Sequence, residues 1–152
     1  MNEIDEEVIA LVKRLAKTIK KVGVKKVVAV LDELDTEENF IETHKNLISF
    51  VIKQTSSSFM VNPEELKRKN IRGSLVEARS MCFILLKKHL ELTHEDISGL
   101  FGNKNHSLVS NALATFKKLN YDIKTDRKFL EIFNDVDSKV DAHKNLLWLK
   151  HK

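Results

Sequence analysis

An all-α fold, a helical bundle organised around a helix-turn-helix, is predicted by three observations. Apolar residues recur at three- and four-residue intervals along most of the 152-residue chain, which carries only four glycines and one proline. Ser74 with Glu77, and Thr93 with Asp96, have the spacing of a capping box ahead of an apolar-periodic run. Gly102, directly after Phe101, then interrupts the pattern where a tight turn between two helices needs a residue free to turn left-handed.

From the N-terminus, Ile4, Val8, Leu11, Val12, Leu15 and Ile19 mark one face of an amphipathic helix that ends near Gly23. Val24, Val27, Val28, Leu31 and Leu34 continue at helical spacing; valines also suit a strand, but residues 24–34 do not alternate, so a helix is expected. Asp35 or Thr36 is placed to cap a further helix, with Glu37 and Glu38 at its positive end and Phe40, Ile41, Leu47, Ile48 and Val51 along one side. Residues 55–58, Thr-Ser-Ser-Ser, look like a linker. Asn62-Pro63-Glu64-Glu65 is a helix start with Asn as the cap. That helix must be short, because Lys67, Arg68, Lys69 and Arg72 form a basic loop leading into Ser74.

Residues 74–93 then make one long amphipathic segment, and Thr93 opens a short helix up to the Gly102 turn. The helix after the turn commits Val109, Ala112, Leu113 and Phe116 to a core, while its first turn is polar. Two more helical patterns follow in residues 121–152, the first with Ile123, Phe129, Leu130, Phe133 and Val136, the second with Leu146, Leu147 and Trp148. Trp148 is expected to anchor the tail to the core, with an aromatic partner-binding tip as the alternative.

With 42% apolar and 32% charged residues the composition is that of an ordinary soluble globular protein. The single cysteine, Cys82, lies in an apolar run and reads as a buried core thiol. Net charge is +4, and residues 63–120 hold 10 Lys/Arg against 6 Asp/Glu while the flanking segments are nearly balanced. A basic region around a helix-turn-helix is the footprint of phosphate contact; a solvated basic face is the plainer alternative. No run approaches a membrane span and the acidic N-terminus lacks a signal-peptide design, so the expected location is the cytoplasm.

A helix, a glycine turn and a second helix with a polar first turn follow the plan in which that second helix lays its N-terminal residues against base edges in the major groove. His106 is the candidate base reader, since an imidazole at the head of the helix can donate or accept. Around it, Lys104 supplies charge and Ser107 a hydroxyl for phosphate, and Leu108 an apolar contact for a thymine methyl. Asn105 is either the N-cap alone or also an adenine reader, and Thr93 and His94 are candidate phosphate contacts at the preceding helix start.

Arg79, Ile97, Phe101-Gly102 and Lys104-Asn105-His106-Ser107-Leu108-Val109 with Ala112 resemble the C-terminal DNA-binding domain (domain IV) of the bacterial replication initiator DnaA. The resemblance covers residues 47–118 and is closest over 74–112. It implies a Trp-repressor-like helical fold that reads a short duplex site with one helix and one basic loop. By resemblance, Arg72 or a loop neighbour enters the minor groove and Arg79 holds backbone phosphate. Ser98 stands where the family has Gly, Asn103 for its second turn Gly, Lys104 for Arg, Asn105 for Asp, and Ser107 and Leu108 for two Thr.

The domains expected are an N-terminal helical arm at 1–46 for packing or dimerisation, the DNA-binding domain at 47–120, and a C-terminal helical extension at 121–152. The ATPase signature G-x-x-x-x-G-K-[ST] of a full initiator is absent from the sequence, so no nucleotide cofactor is expected, and His89 and His94 lack the paired cysteines of a zinc finger. No enzyme, cofactor or metal is predicted. The leading expectation is sequence-specific duplex DNA binding in replication initiation, its regulation or transcription control, with a possible homodimer through the arm. The alternative is an interaction adaptor on the same fold.

Overall fold

The computed structural model of the protein describes residues 3–102 and 105–150, apart from the side chains of residues 3, 4, 34–39 and 150. Among the described residues there are six α-helices, α1 (Glu3–Val22), α2 (Val24–Ser58), α3 (Ser74–His89), α4 (His94–Leu100), α5 (Ser107–Lys117) and α6 (Lys124–Lys150), with a 3-10 turn at Pro63–Lys67. The all-α expectation holds. The chain divides into two compact units, Met1–Glu42 and Thr43–Lys152.

In the first unit, Gly23 at φ +91° separates α1 from α2, as the sequence predicted. Its amide donates to Ile19 O at 2.9 Å and its carbonyl accepts from Val27 N at 3.4 Å, so helical bonding flanks the break on both sides. The apolar stripe of α1 forms as expected but is exposed, with Leu11 at 65% and Val12 at 59%.

In the second unit α3 is the central helix. Residues 81–86 are buried without interruption, because η-turn, α4, α5 and α6 all pack on it. Two ring pairs knit the surrounding helices: Phe83 of α3 meets Phe101 edge-on with centroids 5.2 Å apart, and Phe116 of α5 meets Phe133 of α6 at 4.7 Å. At the end of α3, buried His89 places Nε2 2.7 Å from Asp137 Oδ1, and Lys88 Nζ donates to Asp137 Oδ2 at 2.6 Å, tying α6 down. Nearer its C-terminus α6 stacks His143 on Phe50 of α2 at 3.8 Å.

Four local expectations are corrected. No helix break occurs at Asp35 or Thr36, whose side chains lie outside the described residues; α2 runs through to Ser58, with Thr55 and Ser56 buried. Burial of this face outweighs the few tenths of a kcal/mol by which Ser and Thr disfavour helix. The Ser74–Glu77 capping box does not form, because Gly73 at φ +59° takes the N-cap place and Ser74 is already the first helical residue. The two patterns after residue 121 are one helix, α6. Finally, Trp148 is 56% exposed and Leu147 is the buried anchor, since an unbroken helix puts Leu147, not Trp148, in phase with Val136 and Val140.

Candidate nucleic-acid interface

The reading head is assembled on α4, the following turn and α5. The Thr93 box forms as predicted: Thr93 Oγ1 accepts from Asp96 N at 3.1 Å, and Asp96 Oδ2 accepts from Thr93 N at 3.1 Å. Oγ1 also donates to Asp96 Oδ2 at 2.7 Å, and these bonds from Thr93 hold the Asp96 carboxyl below its usual range. The Thr93 hydroxyl is therefore occupied in capping α4, beside a carboxylate. His94 is half-buried and its Nδ1 lies 2.9 Å from Ser110 Oγ, which fixes the start of α4 against α5.

Phe101 is buried and Gly102, at φ +69°, makes the turn. Lys104 falls, with Asn103, outside the described residues. Asn105 Oδ1 accepts from both Ser107 N at 3.0 Å and Ser107 Oγ at 2.6 Å, so both lone pairs of that oxygen serve the start of α5. Its carbonyl accepts from Ser98 Oγ at 3.1 Å. The buried serine that stands in place of glycine thus holds the turn to α4. His106 and Leu108 are exposed at the head of α5, while Val109 is fully buried behind them.

The basic loop lies against this turn. A Cβ added to Gly102 would come within 3.7 Å of Lys67 O, so the turn and the loop backbone lie near one another. Lys67, Arg68, Lys69 and Arg72 are all exposed, with Arg68 in a surface pair with Glu65 at 3.4 Å. That pair is weak and easily exchanged for another anion. Asn62 Oδ1 accepts from Glu64 N at 3.0 Å, capping the 3-10 turn that sends the loop outward. Arg79 reaches back from α3: its Nη1 donates to Leu66 O at 3.1 Å and to Arg68 O at 3.0 Å. Partial burial lowers its pKa without removing its charge. Arg79 thus braces the loop, and a guanidinium has further donors beyond that one nitrogen.

Two exposed residues escaped the sequence reading. Asn111 and Thr115 continue the outward side of α5 begun by Leu108, at steps of three and four residues. The signal was available as the complement of the apolar stripe at Val109, Ala112, Leu113 and Phe116. Elsewhere, the Cys82 thiol is buried and pushed up to about 12, chiefly by burial with Thr55 opposing it, so it is inert as the sequence suggested. Among the described residues no group of side chains is arranged to hold a metal ion, and no helix is long and apolar enough to cross a membrane.

A short capped helix, a left-handed glycine turn and a helix with an exposed polar head define a helix-turn-helix domain. Residues 48–115 match the family described as bacterial dnaA protein helix-turn-helix. Among curated proteins the chain is similar to the chromosomal replication initiator protein DnaA of Oleidesulfovibrio alaskensis, 31% identical over 91 residues, 59% of this chain and 20% of that protein. The DnaA of Flavobacterium psychrophilum is 25% identical over 105 residues, 68% of this chain and 21% of that protein. That of Wolinella succinogenes is 29% identical over 113 residues, 74% and 24% respectively. The chain therefore spans about a fifth to a quarter of the length of these relatives. No solved structure matches it.

Proposed function

We propose that residues 47–120 bind duplex DNA sequence-specifically, with the head of α5 in the major groove and the basic loop on the flanking backbone and minor groove. The observation that carries this reading is the nearness of the Gly102 turn to the Lys67 backbone, which sets the exposed head of α5 beside a loop of exposed cations. His106 reads a base edge, with Leu108 and Asn111 further along the same side. Lys104, Lys67, Arg68 and Lys69 neutralise phosphate, Arg72 enters the minor groove, and Arg79 positions the loop while offering phosphate its remaining donors; Ser107, expected to bond phosphate, instead gives both its amide and its hydroxyl to Asn105. Thr93 and His94 contribute at one remove, by capping α4 and holding it to α5. The names of the relatives support a role in replication initiation or its control at the nucleoid, and transcription control by occupancy of the same sites would use the same chemistry. Two copies joined through the N-terminal arm would present two such heads to paired half-sites.

The test is selection from a random duplex library at moderate salt, followed by affinity for the winner against scrambled DNA. A short enriched motif is expected, with the logarithm of the binding constant falling by about 0.9 per neutralised phosphate for each decade of salt. Weak, salt-insensitive binding without enrichment would overturn the reading in favour of a protein-binding adaptor.

A further inference from the structure

The apolar stripe of α1 lies exposed, and its pattern is self-complementary. Ile4, Val8, Leu11, Leu15, Thr18 and Val22 alternate at four- and three-residue intervals, the a and d positions of a heptad. Val8, Leu11, Leu15 and Val22 are all exposed, and Val12 widens the stripe. Charge along the same helix is split by sequence: Asp5, Glu6 and Glu7 stand at its start, and Lys13, Arg14, Lys17, Lys20 and Lys21 follow.

We propose that α1 pairs antiparallel with the α1 of a second copy of this chain, centred on Lys13. An antiparallel pair sets a positions against d positions. In the centred register Leu11 meets Leu15 of the other copy and Val8 meets Thr18, and in sequence the same register extends to positions 4 and 22. The flanking g positions then set Glu7 against Lys21. The acidic start of each helix runs beside the basic end of the other, with Arg14 against its own copy as the one like-charge meeting at that flank. A parallel pair in register would set acids beside acids and bases beside bases along the whole helix. Exposed charge pairs add little affinity but select orientation, while the apolar stripe supplies the attraction. This proposal rests on the two-copy reading of the arm and adds its occupant, orientation and register.

The test uses the full chain in sedimentation equilibrium. The wild type is expected to dimerise in the micromolar range. Asp5→Lys/Glu6→Lys/Glu7→Lys and Lys17→Glu/Lys20→Glu/Lys21→Glu should each lose about tenfold or more in self-association alone and regain it when mixed. Under mild oxidation Val8→Cys mixed with Thr18→Cys should give the mixed disulfide, and Val8→Cys alone none; Cys82 is buried and gives no background. A homodisulfide of Val8→Cys would overturn the orientation while leaving a dimer. A wild type that stays monomeric at every concentration, or charge variants that associate alone as the wild type does, would overturn the pairing through α1. Enrichment of a DNA motif by such a monomer would leave the DNA reading standing.

Discussion

Asn105 illustrates how one side chain at the head of α5 divides its capacity. Its Oδ1 is filled by the Ser107 amide and hydroxyl, so only the NH2 faces outward chemistry, and a bidentate adenine contact would break the cap. Asn105→Ala should cost about 1 kcal/mol in denaturant unfolding through loss of that cap. Asn105→Asp should keep the stability, because a carboxylate still accepts at a helix start, while removing the outward donors. His106→Ala should relax sequence preference with little effect on affinity for scrambled DNA, whereas Arg79→Ala should weaken binding to all sequences alike, since it releases the loop rather than a base contact. Equal behaviour of the two in a selection experiment would show that the head is misassigned. Ser56 offers a simpler stability test. Its hydroxyl is buried with no hydrogen-bond partner among the described residues, so Ser56→Ala should leave thermal stability unchanged or raised by about 1 kcal/mol; a clear loss would mean that the hydroxyl has a partner.

The link between α3 and α6 is electrostatic at one end and apolar along its length. Burial would raise the Asp137 carboxyl, but hydrogen bonds and charge from Lys88 and His89 prevail and hold it below its usual range. A carboxylate depressed on folding contributes stability above its unfolded value, about 3.9, and loses it as pH falls through the lower folded value. The tie should therefore persist through neutral and mildly acidic solution and fail only in strong acid. A carboxyl-carbon NMR titration should put Asp137 below the ordinary aspartate midpoint, and Asp137→Asn should flatten the acid limb of the stability profile. A midpoint at or above the ordinary value would contradict the geometry. α4 has a comparable, exposed feature in Asp96, whose partner Thr93 is only three residues away. The Thr93 box was legible in the sequence because it is local; the Asp137 tie spans 48 residues to His89 and was not.

At the scale of the whole molecule, the buried cluster falls between Leu47 and Leu147 and lies wholly in the second unit. A fragment beginning at Thr43 should consequently fold alone, with a cooperative melt within a few degrees of the full chain and unchanged affinity per DNA head. Loss of cooperative unfolding in that fragment would show that the first unit contributes to the core. Burial also sets what α6 does: it carries Phe133, Val136, Val140 and Leu147 into the cluster although residues 124–150 lie beyond the segment matched to the family.

Much about this protein was determined by the sequence alone: the helical class, the break at Gly23, the Thr93 box, the left-handed turn at Gly102 and the run of cations before α3. Each of these depends on residues within a turn or two of one another, where steric freedom, capping and charge act directly. Tertiary structure decided the rest. It carried α2 on through buried Thr55 and Ser56 and gave the start of α3 to Gly73 rather than to the Ser74 box. It buried Leu147 in preference to Trp148, and turned Arg79, His94 and Ser98 into braces for the loop and the reading helix. The physical reason is one of magnitude. Local preferences differ by a few tenths of a kcal/mol per residue, whereas burying a large apolar side chain is worth about 1.5–3 kcal/mol, so the helix phases and ends that bury the core prevail over those that the local pattern favours.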